Sequence, residues 1–365
     1  MEEVLLRRLE NLQAHMSDAG LDLVAITTAP NLRYFGGFVP HLDERFNALL
    51  ISQKGVMWVA PELNREQIEA HVQWPLIAWR DDEGPQDAIR QALQQLGVPR
   101  TLGIDGAGRA DILLRLQEIA QPQSSRSADG IIALLRQVKS ADELEKLALA
   151  AAQADRAMQV AIEACRPGVT EREVAWAIEA FFRQDGAELV DFTLVASGPN
   201  GAFPHHHYSE RVLQEGDAII LDIGATLNGY KSDLTRMVYL GEPAKEFLNA
   251  YAAVDRANLE ARSRVKPQVS AQEIDRAARA TLKEHGLAEF FVHRTGHGIG
   301  LDIHEPPYLM EGNEAPLQVG MTFSIEPGIY LVGRYGIRIE DIVAVTDQGV
   351  RVLSQTPHDL VIKSS

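Results

Sequence analysis

Four carboxylates stand inside stretches that otherwise read as buried strands, and a chain can fold around them only if their charge is answered. Asp222 sits in Ala218-Ile-Ile-Leu-Asp-Ile-Gly, Asp233 in Lys231-Ser-Asp-Leu-Thr, Glu326 in Phe323-Ser-Ile-Glu-Pro and Glu340 in Gly336-Ile-Arg-Ile-Glu-Asp. Between the first two, Asn228-Gly229 is a hairpin signal, and an even-numbered loop there puts Asp222 and Asp233 on one face. Gly333 lies midway between Glu326 and Glu340, so an odd-numbered turn within Val332-Gly-Arg-Tyr-Gly336 brings that pair to one face as well. Burying an unpaired carboxylate costs several kcal/mol. Arg338 shares a face with Glu340 by strand alternation and can neutralise one acid, not the whole set. A larger positive centre is required.

His297, in Gly296-His-Gly-Ile-Gly, has glycines on both sides that let a partner approach closely. Alone, such a histidine reads as readily as part of a turn. Beside stranded acids it reads as a ligand, because neutral imidazole is the commonest protein metal ligand. Asp222, Asp233, His297, Glu326 and Glu340 supply oxygen donors and one nitrogen, a set that suits two divalent cations, with manganese first and cobalt or zinc as alternatives. Such cations make a water nucleophilic near neutral pH and polarise a carbonyl.

The rest of the chain bounds the setting. Its 365 residues suffice for two domains with separate cores. With 51 acids against 35 Lys and Arg and no basic tract, nucleic acid is excluded as a partner. No run approaches the ~18 apolar residues of a membrane span. Acids stand at the N-terminus where a secretory signal has bases. Cys165, the single cysteine, rules out an internal disulfide and reads as a small buried hydrophobe. A cytoplasmic location is therefore expected.

In chain order, an amphipathic helix over 4–19 leads into alternating strands and helices, which predict an α/β domain over residues 1–130. The polar stretch Gln121–Gly130 is read as the connection. Ser140 with Glu143, and Thr170 with Glu173, are capping-box signatures that open helices over 140–165 and 170–184. Strands follow over 189–196, 218–223, 235–239, 322–325 and 337–345, with helices over 244–264 and 270–286. Residues 131–365 thus read as an α+β domain with a largely antiparallel sheet. No internal repeat is visible.

Taken together, Leu221-Asp-Ile-Gly, Ser232-Asp-Leu-Thr-Arg, Gly296-His-Gly-Ile-Gly, His304-Glu-Pro, Ser324-Ile-Glu-Pro-Gly and Gly336-Ile-Arg-Ile-Glu-Asp resemble the metal-dependent Xaa-Pro peptidases, aminopeptidase P and prolidase. Asn31-Leu-Arg-Tyr-Phe-Gly-Gly-Phe resembles their accessory domain. The resemblance implies a curved, antiparallel pita-bread domain behind a smaller creatinase-like α/β domain, and a homodimer in which the small domain reaches towards the partner's site. It implies that Asp222 binds one metal, that Asp233 and Glu340 bridge both, and that His297 and Glu326 bind the other. His205 and His304 then match two non-ligand histidines that hold substrate and transition state, although His206 and His207 directly follow His205. Arg338 matches a residue beside the bridging glutamate, and Tyr230 and Thr235 flank the bridging aspartate. Glu326 would shuttle a proton. The implied substrate is a peptide with proline second, and the reading leans to aminopeptidase P over prolidase. A dipeptidase needs a cation for the substrate carboxylate, for which Arg45 is a candidate. Methionine aminopeptidase, and a non-catalytic binding module of the same fold, are weaker readings.

Overall fold

A computed structural model describes residues 2–364 in two compact units, one running to Arg136 and the other starting at Gln137. In the first, helix Glu2–Ala19 precedes strands β1 (Leu23–Ile26), β2 (Ala48–Ser52), β3 (Gly55–Pro61), β4 (Leu76–Trp79), β5 (Thr101–Ile104) and β6 (Ser124–Ser127). They lie in the order β4-β3-β2-β1-β5-β6. β2 runs antiparallel to its neighbours β1 and β3, and the pairs β3-β4, β1-β5 and β5-β6 are parallel. All residues of β1 are buried, as a central strand covered on both faces requires. Leu23, Leu50, Val59, Ile89, Leu93 and Leu116 build the core between sheet and helices.

The division falls at Arg136/Gln137, not at 130/131. Gln121–Gly130, read as a connecting loop, contributes edge strand β6 and opens helix Asp129–Arg136. Ser124-Ser-Arg-Ser127 has no apolar residue, and backbone pairing to β5 rather than side-chain burial makes it a strand. Hydrophobic alternation has nothing to report there.

The second unit opens on helices Ala141–Ala164 and Glu171–Gln184. Both capping boxes form: Ser140 Oγ accepts from Glu143 N while the Glu143 carboxylate accepts from Ser140 N, and Thr170 with Glu173 does the same. Ala154, Ala157 and Ala161 give the long helix a small-residue face against Val195, Ile219 and Leu221. Strands β7 (Leu189–Ser197), β8 (Ala218–Leu227), β9 (Tyr230–Lys231) and β10 (Leu234–Leu240) follow, then helices Lys245–Ser263 and Ala271–Glu284. The chain closes with β11 (Gly296–Gly298), β12 (Glu305–Leu309), β13 (Thr322–Ile325), β14 (Gly328–Leu331), β15 (Tyr335–Arg338), β16 (Asp341–Thr346), β17 (Gly349–Val352) and β18 (Val361–Lys363). One sheet is β18-β10-β8-β7, a second is β12-β11-β13-β16-β17, and β14 pairs with β15. Every pairing is antiparallel except β10 with β18. No helix among the described residues is long and apolar enough to cross a membrane.

An internal repeat is present, contrary to the reading from sequence. Arg166-Pro-Gly-Val-Thr-Glu171 and Lys266-Pro-Gln-Val-Ser-Ala271 start the second helix of each pair, with positive φ at Gly168 and Gln268. Glu171 N, Arg172 N and Leu213 N donate to the carbonyls of Arg211, Ser209 and Val169. In the second half Ala271 N, Gln272 N and Leu317 N donate to those of Ala315, Asn313 and Val269. The halves share backbone hydrogen bonds and few side chains, which is why letters alone conceal the repeat.

Strand β11 is squeezed between β12 and β13. A Cβ on Gly298 would stand 2.3 Å from the Pro306 carbonyl oxygen. Gly298→Ala should therefore cost ~1–3 kcal/mol in urea unfolding. Gly130→Ala, where an added Cβ meets nothing within 4 Å, should change stability by less than ~0.5 kcal/mol. An unshifted midpoint for Gly298→Ala would show that the strands can part without cost.

Candidate metal centre

The two hairpins that the glycines announce bring the acids together. Asn228 and Gly229, both at positive φ, make a two-residue turn between Leu227 and Tyr230. The register continues to Thr235 opposite Asp222. Asp233, two residues before Thr235, therefore faces the same way as Asp222. In the other hairpin Leu331 pairs with Tyr335 across Val332-Gly333-Arg334, and Gly328 pairs with Arg338. Glu326 and Glu340 lie just beyond that last pair, again opposite each other. His297 projects from β11, beside β13. All five line one cavity of about 760 Å³.

Asp233, His297 and Glu340 each offer a ligand atom, and these atoms all lie within 4.8 Å of one another. His297 Nε2 is 3.1 Å from Glu326 Oε1 and 3.7 Å from Asp233 Oδ2. Its Nδ1–H donates to the Gly298 carbonyl at 3.1 Å, which turns Nε2 towards the acids. An imidazole lone pair that close to a carboxylate needs a proton or a metal cation between them. Burial, then the neighbouring Glu340, Asp222 and Glu326 carboxylates, push Asp233 well above the usual carboxylate range; burial and the same repulsion do so for Glu340. Burial pushes Glu326 up too, but the His297 hydrogen bond and charge outweigh it and hold that carboxyl at about 2. Asp222 Oδ1 and Glu340 Oε1 are buried and accept no hydrogen bond. Orphaned carboxylate oxygens facing a shared space fit divalent cations by donor type and by charge.

The groups around the acids fix their remaining lone pairs. Thr235 Oγ1 donates to Glu340 Oε2 at 2.7 Å, and Ser324 Oγ to Glu326 Oε1 at 3.0 Å. Arg338, read as able to neutralise Glu340, forms its ion pair with Asp222 at 2.5 Å and reaches Glu340 only through Thr235, whose hydroxyl accepts from Arg338 Nε and donates to Glu340. Arg338 also donates to the Tyr330 hydroxyl at 2.7 Å, the Pro204 carbonyl at 3.3 Å and Thr235 Oγ1 at 3.4 Å. Tyr230, read as orienting a ligand, donates to Glu143.

His205, His206, His207 and His304 all line the cavity. His304 stacks edge-on against His297, ring centroids 4.1 Å apart, and burial, with the nearby His297 and Arg294 charges, lowers its pKa to about 4. It is neutral near pH 7, with a ring N–H to donate. His206 is turned to Glu171, 2.9 Å away. Arg45 is committed to Asp43 and Asp81. Among the cavity residues that escaped the reading from sequence, two carry polar groups beside the acids. His293 meets the Tyr330 hydroxyl at 2.9 Å, and Arg294 lies over the Tyr308 ring at 4.3 Å with no carboxylate partner among the described residues. Their place four and three residues before His297 was the available signal.

Comparison with known proteins agrees with this geometry. The profile of metallopeptidase family M24 matches residues 145–347, and that of the creatinase/prolidase N-terminal domain matches residues 8–138. A probable dipeptidase PepE of Mycobacterium tuberculosis is 39% identical over 99% of this chain and 97% of its own length. An Xaa-Pro dipeptidase of Pyrococcus furiosus is 34% identical over 97% and 99%. The crystal structure of dipeptidase PepE from Mycobacterium ulcerans superposes with a TM-score of 0.92 at 39% identity, covering 100% of this chain and 99% of that one.

If the acids await cations, Asp233→Asn should raise the stability of chelator-treated protein at pH 7, because it removes a carboxylate that burial and its neighbours disfavour. Manganese at a hundredfold its Kd should stabilise wild type by ~2.7 kcal/mol and the variant far less. Thermal melts with and without Mn²⁺ read both; equal stabilisation of wild type and variant would remove Asp233 from the metal centre.

Proposed function

The chain belongs to metallopeptidase family M24, with a creatinase/prolidase N-terminal domain ahead of its peptidase domain, and from that premise we propose that it is an Xaa-Pro dipeptidase. This revises the lean towards aminopeptidase P. The observation that carries it is the full-length identity to proteins named dipeptidase PepE and Xaa-Pro dipeptidase. The cavity also presents Arg294, a guanidinium without a carboxylate partner among the described residues, free to meet an anionic group of a short substrate.

Asp222, Asp233, His297, Glu326 and Glu340 would hold the divalent metal, for which we propose two ions with manganese first, and Asp233, His297 and Glu340 offer ligand atoms within 4.8 Å of one another for it. When bound, the ions make a water nucleophilic near neutral pH and polarise the scissile carbonyl. Glu326 takes the proton released on attack and returns it to the prolyl nitrogen, which has no hydrogen of its own in the tertiary amide. Neutral His304 donates to the oxyanion that develops on the carbonyl, a contact of the kind that contributes ~3 kcal/mol in the transition state. His205 holds the substrate from the opposite wall. Arg338 orients Asp222 through the 2.5 Å contact, the type of support on which ligand geometry depends.

Metal-stripped protein should hydrolyse Xaa-Pro after manganese, cobalt or zinc is restored, and should leave Xaa-Pro-Xaa intact; rapid cleavage of the tripeptide series would return the assignment to aminopeptidase P. His304→Ala should lower kcat by ~100-fold or more with a smaller effect on KM. Equal kinetics for that variant would relieve His304 of its role. The functional assembly is proposed to be a homodimer, so light scattering at micromolar concentration should give twice the chain mass, and a monomer would refute it.

A further inference from the structure

Outside the metal centre, one carboxylate gathers more hydrogen bonds than any ligand does. Glu171 is fully buried. Its Oε1 accepts from Ser197 N at 2.8 Å, Ser197 Oγ at 2.7 Å and Asn200 Nδ2 at 3.0 Å. Its Oε2 accepts from His206 Nε2 at 2.9 Å, Ser209 N at 2.9 Å and Ser209 Oγ at 2.6 Å. Every donor belongs to the segment that leaves β7 and carries Pro204 and His205 along the cavity wall. We propose that Glu171 is a positioning residue for the reaction, which fixes His205 by tying the irregular loop around it, through His206 and the serines on either side, to one buried anion.

The internal repeat separates this role from the demands of the fold. Ala271 occupies the equivalent place in the second half, with the same backbone hydrogen bond and full burial. A helix pair of this build therefore closes without an acid at that position. The halves differ in what they must hold. Residues 203–208 have no strand partner to fix them, since neither helix nor strand is formed there. Only local turn hydrogen bonds, from Phe203 N to the Asn200 carbonyl and from His206 N to the Phe203 carbonyl, are made within the segment, and the ties to Glu171 through Ser197, Asn200, His206 and Ser209 fasten it to the helix. Burial pushes the Glu171 carboxyl up, but the hydrogen bonds from Ser209, Ser197, His206 and Asn200 outweigh it and leave the group below the usual range. Its place in the first turn of helix Glu171–Gln184 also favours the charge.

The middle of the same loop, between Asn200 and His206, is tied to the ligand set. The Pro204 carbonyl accepts from Arg338 Nη1, whose other arm holds Asp222. The loop thus hangs between two anchors, and His205 sits between them. Glu171→Gln keeps the shape but replaces one acceptor by an NH₂ facing N–H and O–H donors, so at least one arm must let go.

This inference rests on the reading that His205 contacts substrate, and a double-mutant cycle tests both separately. Glu171→Gln should lower kcat/KM for Xaa-Pro by ~10–100-fold, the range typical for supporting residues. In a His205→Ala background the same change should cost less than about threefold, because its effect passes through a side chain that is gone. A merely structural glutamate would give equal losses in both backgrounds; that outcome, or kcat/KM within about twofold of wild type, overturns the proposal. Should Glu171→Gln fold poorly, His206→Ala cuts one arm alone. It should lose ~10-fold where His205 is present, with His206→Gln, which keeps an N–H donor, partly restoring the loss. Wild-type activity in His206→Ala, or no recovery in His206→Gln, likewise overturns it. A wild-type enzyme inactive on Xaa-Pro defeats the dipeptidase reading instead, and the cycle then runs on whichever N-terminal peptide it cleaves.

Discussion

Mutual repulsion among buried carboxylates is the constraint on which the catalytic unit turns. Asp233 and Glu340 each lose hydration and face other anions, and both are pushed well above the usual range. A cavity that held only these groups would favour protonation or expansion. Divalent cations reverse the sign of the problem: the same crowding becomes affinity. The repulsion among these donors is what a cation of a metal-dependent family would answer.

Around that centre the polar side chains divide the work. Thr235 and Ser324 each give one hydrogen bond to a ligand, and Arg338 gives a charge to Asp222. Each satisfies some lone pairs and leaves others, notably Asp222 Oδ1 and Glu340 Oε1, pointing at the shared space. Orientation of this kind is inexpensive in sequence terms, since one hydroxyl at the right strand position suffices. The histidine loop lacks such a regular frame, which is why a fully buried glutamate with six hydrogen bonds stands beneath it.

The repeated helix pairs add an architectural reason for where chemistry sits. Both halves build the same backbone scaffold, with Thr170 and Ser270 at matching helix starts. One half supplies Asp222 and Asp233 from β8 and its hairpin, and the other supplies His297 and Glu326 from β11 and β13. The ligands meet because the two sheets face one cavity. Side chains that differ between equivalent positions, such as Glu171 and Ala271, are then the ones that serve a task peculiar to one half.

The sequence by itself determined the hairpins and the facing of their acids. Side-chain parity in a strand is fixed by backbone geometry, and Asn228-Gly229 and Gly333 mark turns whose conformations few other residues adopt. Both capping boxes were equally legible, because their partners lie three residues apart. Beyond that range only the tertiary structure decided. It paired Arg338 with Asp222 rather than Glu340, sent Tyr230 to Glu143 and His206 to Glu171, and made an edge strand of Ser124–Ser127. Those outcomes depend on which groups from distant segments arrive within ~3 Å of each other, and local periodicity carries no information about such arrivals.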